Sequence, residues 1–304
     1  MEVNKIICGD ALKILKKIPD NFIDSAITSP PYWALRDYGV AGQIGMEESY
    51  RDYLNALLNI FDEVRRVLKD SGTCWVNIGD TYSATRWSQN PGKSGRKNRT
   101  ETPIIKKESG LSEKSLCQIP SRFAIEMTAR CWILRNEIIW HKPNAMPSSA
   151  DDRFTVDFEK IYFFVKSKKY FFEQQFDKYV KPMNRWGGDK LKANGKSEWD
   201  NGTGQDTYRN RKMRPNNNGR NKRCVWDINT KPCADAHFAT FPEALVEPMV
   251  KAGCPVGGVV LDPFMGSGTT AVVARKLGRQ YLGIELNPKY IKIANDRLAQ
   301  NILI

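Results

Sequence analysis

The sequence is poor in histidine, has no cysteine pairs at metal-binding spacing and has no long apolar run. Its only histidines are His141 and His237, and none of its seven cysteines forms a Cys-x-x-Cys pair. A structural zinc site is therefore not expected, and no metal is predicted. No stretch of about 18 apolar residues exists, so no membrane span is predicted. Unpaired cysteines fit a reducing compartment, and the first residues lead straight into an apolar strand, so we expect a cytoplasmic protein without a signal peptide.

Positive charge is abundant but unevenly placed along the 304 residues. The formal net charge is +13. Between Arg86 and Lys107 there are seven Lys or Arg and one Glu, and between Lys181 and Cys224 there are twelve Lys or Arg and four acidic residues. These two polar insertions carry the excess charge, which indicates a polyanionic partner. Solvated basic loops that serve solubility are the alternative.

Short apolar runs alternate with amphipathic stretches along the chain, which is long enough for one large domain with an insertion. Strands are predicted at 4–8, 22–28, 73–78, 137–140, 160–166, 258–261 and 281–285. Helices are predicted at 11–17, 53–68, 123–134, 241–252, 269–277 and 288–298. Ser49 is the expected N-cap of the second helix and Gly72 its stop. The alternation predicts an α/β fold with a doubly wound, mostly parallel sheet.

A glycine turn near the C-terminus is typical of a nucleotide-like ligand. The strand that ends at Asp262-Pro263-Phe264 is followed by Gly266, Gly268 and a helix that begins at Thr269. Glycines let a ligand approach the backbone, and a helix N-terminus offers free N–H groups to an anion or carboxylate. Glu285 ends the next strand, where an acidic residue can bind ribose hydroxyls. A tight structural turn is the alternative. No Gly-Lys-Ser/Thr follows, so a Walker phosphate loop is excluded.

The segment Ser29-Pro30-Pro31-Tyr32 follows the second predicted strand, at the end of the sheet where such folds bind ligands. The prolines restrict the backbone so that a carbonyl, expected to be that of Pro30, can point inward. That carbonyl and the Ser29 hydroxyl could accept both hydrogens of an amino group, and Tyr32 could stack on a planar base. A strand-terminating turn is the alternative interpretation.

These motifs, in this order, resemble the S-adenosylmethionine-dependent DNA amino-methyltransferases of the permuted type often called beta. The resemblance implies a Rossmann-like methyltransferase fold with three regions. Residues 1–179 would form the catalytic half with a loop at 84–116, residues 180–235 a basic target-recognition insertion, and residues 236–304 the cofactor-binding half.

The resemblance also implies site residues. Catalysis would involve Ser29, Pro30, Pro31 and Tyr32. The cofactor, S-adenosyl-L-methionine, would contact Asp10 through its adenine and Glu285 through its ribose. The full set of expected cofactor-binding residues is Asp10, Thr240, Phe241, Asp262, Phe264, Gly266, Gly268, Thr269 and Glu285. The segment 136–144 matches a strand and turn near the base pocket, without a catalytic role for His141.

Double-stranded DNA is the partner that the resemblance implies, with base flipping and association with the nucleoid. The densest candidate cluster for DNA contacts contains Arg209, Arg211, Arg214 and Arg220. In this family Ser-Pro-Pro-Tyr is more typical of cytosine-N4 enzymes and Asp-Pro-Pro-Tyr of adenine-N6 enzymes, so Ser29 favours cytosine and leaves adenine open.

Other classes also remain open at this point. An RNA or protein methyltransferase, or a DNA-binding protein that has lost catalysis, would fit some of these motifs. The recognition sequence, a companion restriction endonuclease, and the choice between monomer and homodimer are not fixed by the sequence.

Overall fold

The computed structural model describes residues 1–35, 37–83, 110–178, 218–230 and 241–300. The chain divides into two compact units, one of Met1–Glu173 with Cys224–Ile304 and one of Gln174–Arg223. The second unit begins before the predicted insertion at 180–235. It also ends earlier than predicted, because Val225–Asp227 pairs with the sheet of the first unit. Most of the predicted loop at 84–116 and most of the insertion lie outside the described residues.

Strands and helices alternate in the first unit. Its strands are β1 (Lys5–Cys8), β2 (Ile23–Thr28), β3 (Leu68–Ile78), β4 (Ile133–His141), β5 (Phe158–Val165), β8 (Val225–Asp227), β9 (Val259–Asp262) and β10 (Gln280–Glu285). Its helices are α1 (Ala11–Leu15), α2 (Tyr50–Val67), α3 (Ile119–Ala129), α4 (Glu243–Gly253), α5 (Thr269–Lys276) and α6 (Pro288–Gln300). In the second unit, β6 (Phe176–Asp177) and β7 (Arg220–Asn221) form an antiparallel pair.

The strands of the first unit form one eight-stranded sheet in the order β1-β10-β9-β2-β3-β5-β4-β8. All neighbours pair in parallel except β5, which is antiparallel to both β3 and β4. The predicted doubly wound, mostly parallel α/β sheet is therefore confirmed.

Helices cover both faces of this sheet. All six residues of β2 are buried, and successive side chains of a strand point to opposite faces. Ala26 packs in a core cluster with residues of α2 and α3, whereas Ile27 packs in a second cluster with residues of α4 and α5. The central strand β2 is therefore buried on both faces, as is usual for a parallel sheet that is covered by helices on both sides.

The two sequence motifs emerge at neighbouring points of one sheet edge. Ser25 and Ala26 of β2 pair in parallel with Val260 and Leu261 of β9. The chain winds from β2 to β3 in one direction and from β9 to β10 in the other, so this junction is a topological switch point. Crevices at the carboxyl ends of strands at such points bind ligands in open α/β sheets.

Several predicted boundaries were wrong, and β3, α3 and β4 each begin earlier than predicted. Helix α2 is capped by Ser49 as predicted, but it ends at Val67 and runs directly into β3, so Gly72 lies within a strand. Helix α3 ends at Ala129 instead of continuing to residue 134. Cys131 has a φ of 65°, which reverses the chain before β4 begins. The apolar residues after this turn continue the helical spacing in the sequence, although they belong to a strand.

Candidate active site

A single cavity of about 270 Å³ lies at the carboxyl ends of β2 and β9. One end, called the Ser29 end, is formed by Ser29, Pro30, Pro31, Tyr32, Asn77, Trp140, Lys142 and Glu159. The other, called the Gly266 end, is formed by Asp10, Phe241, Phe264, Gly266, Thr269, Glu285 and Asn287. The structure thus brings the two motifs, which are more than 200 residues apart, to one cavity.

At the Ser29 end, the hydroxyl of Tyr32 is the centre of a polar network. It donates a hydrogen bond of 2.6 Å to Oε2 of Glu159 and lies 3.3 Å from Oδ1 of Asn77. The hydroxyl of Ser29 lies 3.4 Å from it. Burial, followed by the charge of Glu159, raises the pKa of Tyr32 well above its usual range. The phenol therefore stays protonated and acts as a donor.

Glu159 reaches this network because β5 runs against its neighbours. In a reversed strand, the first residues lie at the edge where the parallel strands end. Glu159 pairs with Trp140 of β4, and its Oε1 forms an ion pair with Lys142, which directly follows β4. The ammonium of Lys142 lies 4.5 Å from the ring centroid of Trp140, a cation–π contact.

The prolines of the motif have distinct surroundings. The hydroxyl of Tyr53, on α2, donates a hydrogen bond of 2.9 Å to the carbonyl of Pro31. Among the described residues, no donor contacts the carbonyl of Pro30. Of the two carbonyls, that of Pro30 therefore keeps its full capacity to accept hydrogen bonds, and its role in holding an amino group stays a prediction.

The backbone of Gly79, just after β3, packs against the ring of Tyr32. A Cβ at position 79 would lie 2.5 Å from Cε2 of that ring, closer than carbon atoms approach. The ring is thus confined by the Gly79 backbone, and its hydroxyl is held by Glu159. Glycine at position 79 is required for this ring position.

At the Gly266 end, the carboxylate of Glu285 connects two loops. It accepts hydrogen bonds from the backbone N–H of Gly266 (2.8 Å) and of Asn287 (2.7 Å). Burial raises the pKa of Glu285 above its usual value. The φ of Gly266 is +53°, and the space around its Cα is open, so a ligand can approach the backbone there.

Asp262 and Gly268 support the turn from outside the lining of the cavity. The carboxylate of Asp262 is fully buried and accepts hydrogen bonds from the hydroxyls of Thr28 (2.6 Å) and Thr270 (2.7 Å) and from the N–H of Phe264 (3.0 Å). Burial raises its pKa to about 6. Gly268 lies against α6, where a Cβ would be 2.7 Å from that of Ala294. Both residues position the turn through protein contacts.

The remaining predicted residues are placed as follows. Asp10 lines the cavity, and its Oδ1 caps α1 by accepting from the N–H of Lys13 at 2.9 Å. Arg220 is in the second unit, with its Nε 4.0 Å from Oδ2 of Asp177. The other predicted residues lie outside the described part of the chain: the cofactor-binding residue Thr240 and the DNA-binding residues Arg209, Arg211 and Arg214.

Three residues that shape the Ser29 end were not predicted: Asn77 and Glu159, which line it, and Gly79, which packs against Tyr32. Asn77 could have been found, because it is a polar residue near the end of a buried strand. Glu159 lies one residue before the predicted strand, and nothing in its local pattern reveals that the strand is reversed. His141 joins β4 to β8, with Nδ1 2.7 Å from Oδ1 of Asp227, and does not line the cavity.

Within the described parts of the chain, no group of three or more His, Cys, Asp or Glu side chains could hold a metal ion. None of the helices described is long and apolar enough to cross a membrane.

Solved structures show the same fold at low sequence identity. The PvuII DNA methyltransferase (cytosine-N4-specific) superposes with a TM-score of 0.62 at 18% identity, covering 97% of this chain and 90% of that one. The structure of M1.HpyAVI in complex with SAM gives a TM-score of 0.55 at 19% identity, covering 97% and 98% of the two chains.

Sequence relatives are considerably closer. The Type II methyltransferase M.Cfr9I of Citrobacter freundii is 42% identical over 293 residues, which are 95% of this chain and 86% of that protein. The Type II methyltransferase M.SmaI of Serratia marcescens is 39% identical, with 97% and 90% covered. The N6/N4 DNA methylase family model matches residues 23–296. The resemblance predicted from the sequence is thereby confirmed, and the chain belongs to the N6/N4 DNA methylase family.

Proposed function

We propose that this protein is a Type II DNA methyltransferase that transfers a methyl group from S-adenosyl-L-methionine to the exocyclic N4 of a flipped cytosine in duplex DNA. The observation that carries the proposal is the single cavity shared by the Ser29 end and the Gly266 end. A methyl donor and an acceptor base must meet within bonding distance, and one continuous cavity between the two motifs provides for this.

The Gly266 end fits the cofactor. Its open backbone at Gly266 permits close approach, and Glu285 offers a carboxylate for ribose hydroxyls. Asp10 also lines this end and is available to the adenine amino group, and Phe241 and Phe264 supply apolar walls. The N-terminus of α5 at Thr269 presents free N–H groups to a carboxylate. When bound, S-adenosyl-L-methionine supplies an electrophilic sulfonium methyl group.

The Ser29 end fits an amino group on a planar base. The lone pair of an exocyclic amine is delocalised into its ring, so the nitrogen is a poor nucleophile. Hydrogen bonds to the Ser29 hydroxyl and to the Pro30 carbonyl hold both amino hydrogens and favour a pyramidal nitrogen with an exposed lone pair. Tyr32 stacks on the extruded base. No metal and no covalent intermediate is required.

Cytosine is the proposed target because serine occupies position 29. Both amines need the same two acceptors, so an adenine-N6 methyltransferase is the alternative that uses the same chemistry. An RNA or protein methyltransferase is disfavoured by the family match, and loss of catalysis is disfavoured by the intact Ser29 and Gly266 ends.

Sequence recognition is assigned to the basic insertion, at positions 180–235. Its arginines, including Arg209, Arg211, Arg214 and Arg220, would contact phosphates and base edges. The relatives M.Cfr9I and M.SmaI are both named Type II methyltransferases, which supports a companion restriction endonuclease.

The test is transfer of labelled methyl from S-adenosyl-L-methionine to mixed-sequence duplex DNA, followed by digestion to nucleosides and mass spectrometry. We expect N4-methylcytosine, and none with a Ser29→Ala chain purified in the same way, which controls for a contaminating methylase. Detection of N6-methyladenine would support a DNA amino-methyltransferase but would overturn the assignment of cytosine as its target. Label in RNA or protein, with none in DNA, would refute the proposal.

A further inference from the structure

We infer that Glu159 is a positioning residue for methyl transfer, which holds the ring of Tyr32 in place against the target base. The inference rests on the proposed function, since it assigns a task at the Ser29 end of the same cavity. Glu159 belongs to neither sequence motif and reaches the site only through the reversed strand β5.

The carboxylate of Glu159 gathers three donors from three different segments. Oε2 accepts from the hydroxyl of Tyr32 at 2.6 Å and from Nδ2 of Asn77 at 3.0 Å. Oε1 is paired with Lys142. The segment after β2, the end of β3 and the segment after β4 are therefore joined at one anionic group that lines the cavity.

The contact with Tyr32 has the character of a strong hydrogen bond. A neutral O–H donor with a carboxylate acceptor forms charge-assisted bonds of 2.5–2.7 Å, which are about twice as strong as neutral ones. The side chains of Glu159 and Lys142 are 18% and 19% exposed, so water competes little for them. A fully exposed ion pair would be screened by water and salt and would fix the positions of its side chains only weakly.

The ring of Tyr32 is restricted at two places. Glu159 holds its hydroxyl, and the backbone of Gly79 packs against the side of the ring that carries Cε2. Without the carboxylate, only the longer contacts with Asn77 (3.3 Å) and Ser29 (3.4 Å) hold the hydroxyl, so the ring can shift within the cavity. A stacking surface that moves by about 1 Å places the amino nitrogen out of line with the methyl group, and such misplacement costs about 100-fold in rate.

A purely structural role for Glu159 makes a different prediction. The Gly266 end lies across the cavity and is built from other elements, so a positioning role leaves cofactor binding intact. A structural role would damage the fold, and with it the affinity for S-adenosyl-L-methionine. The two roles are separated by measuring cofactor affinity and methyl transfer on the same variant.

The test compares Glu159→Gln, Tyr32→Phe and the double variant on a duplex that the wild type methylates. Glutamine keeps the shape of the side chain but offers one acceptor oxygen to three donors. We expect Glu159→Gln to lower the single-turnover rate about 100-fold, while calorimetry shows an affinity for S-adenosyl-L-methionine within about twofold of wild type. Glu126→Gln, at an exposed position of α3, is the matched control and should keep the wild-type rate.

The double variant examines whether Glu159 acts through Tyr32. If it does, the double variant is no slower than the slower single variant, because both changes remove the same bond. A wild-type rate in Glu159→Gln, losses that multiply in the double variant, or loss of cofactor binding would each overturn the inference. A wild type that labels no DNA would instead refute the proposed function before any variant is compared.

Discussion

At the scale of single residues, the geometry of the site depends on residues that do not themselves react. Glycine at 79 permits the ring of Tyr32 to lie against the backbone, and the carboxylate of Asp262 gathers donors from β2, from α5 and from its own turn. Neither residue offers a reactive group to the cavity. Their substitution therefore tests the geometry of the site separately from its chemistry.

The first prediction concerns Gly79→Ala. The added Cβ cannot remain 2.5 Å from Cε2 of Tyr32, so the ring must shift while its hydroxyl is held by Glu159. We expect a rate of methyl transfer lower by about 10- to 100-fold, with the affinity for S-adenosyl-L-methionine unchanged. Single-turnover kinetics and calorimetry measure the two quantities, and a wild-type rate would contradict the prediction.

The second prediction concerns the pH dependence of stability. Burial raises the pKa of Asp262 to about 6 in the folded chain, above 3.8 for the free side chain. Between these values the folded state binds a proton that the unfolded state does not, so stability falls as pH rises. The stabilisation is fully present below about pH 4 and lost above about pH 6.

Asp262→Asn removes this titration and keeps the shape of the side chain. The free energy of unfolding of the variant, relative to wild type, should therefore rise by up to about 3 kcal/mol between pH 4 and pH 7. Urea unfolding at a series of pH values measures the difference, in which the titration of other groups cancels. A difference that does not change with pH would show that Asp262 titrates normally.

At the scale of elements, the sequence predicted the positions of the two motifs but not the whole site. Ser29 and Gly266 follow apolar strands, and the edge at which parallel strands end is fixed by the fold class. The direction of β5 is not encoded in its own residues, because an apolar run is compatible with either direction. Glu159 was missed for that reason, and the end of α3 was misplaced because apolar spacing continues beyond Cys131.

The third prediction distinguishes the two glycines of the turn. Both have positive φ, which costs a non-glycine residue about 1–2 kcal/mol. Only at Gly268 does the added Cβ also meet α6, at 2.7 Å from the Cβ of Ala294. Gly268→Ala should therefore destabilise the fold by at least about 1 kcal/mol more than Gly266→Ala, since overpacking adds to the strain.

Urea unfolding of the two variants without cofactor measures this difference. Gly266→Ala should weaken binding of S-adenosyl-L-methionine more than its loss of stability explains, because its Cα faces open space in the cavity. Equal stabilities of the two variants would refute the assignment of Gly268 to the packing of α6.

At the scale of the whole molecule, positive charge is concentrated in two stretches of the sequence. The formal net charge of +13 arises mainly from the two basic insertions in the sequence. Binding of a polyanion by such segments releases counterions, so it weakens steeply with salt and contributes to affinity more than to specificity.

The fourth prediction follows from this distribution. Replacing Arg209, Arg211 and Arg214 together by alanine should reduce the slope of log affinity against log salt by about 3, if each contacts a phosphate. The matched control replaces three exposed lysines of the first unit, Lys13, Lys16 and Lys17, and should leave the slope unchanged. Fluorescence anisotropy with a labelled duplex measures both slopes. If the slope changes equally in the two variants, the three arginines do not contact phosphates.

The hydrogen bond between Thr28 and Asp262 joins residues 234 positions apart and so links the site to the order of synthesis. The ribosome releases the Ser29 segment first, and the Gly266 turn and Glu285 emerge more than 200 residues later. A chain interrupted before Glu285 carries the Ser29 segment without the partners that complete the cavity. Translation that stops between the two segments therefore yields fragments with an incomplete cavity, which we expect to be inactive.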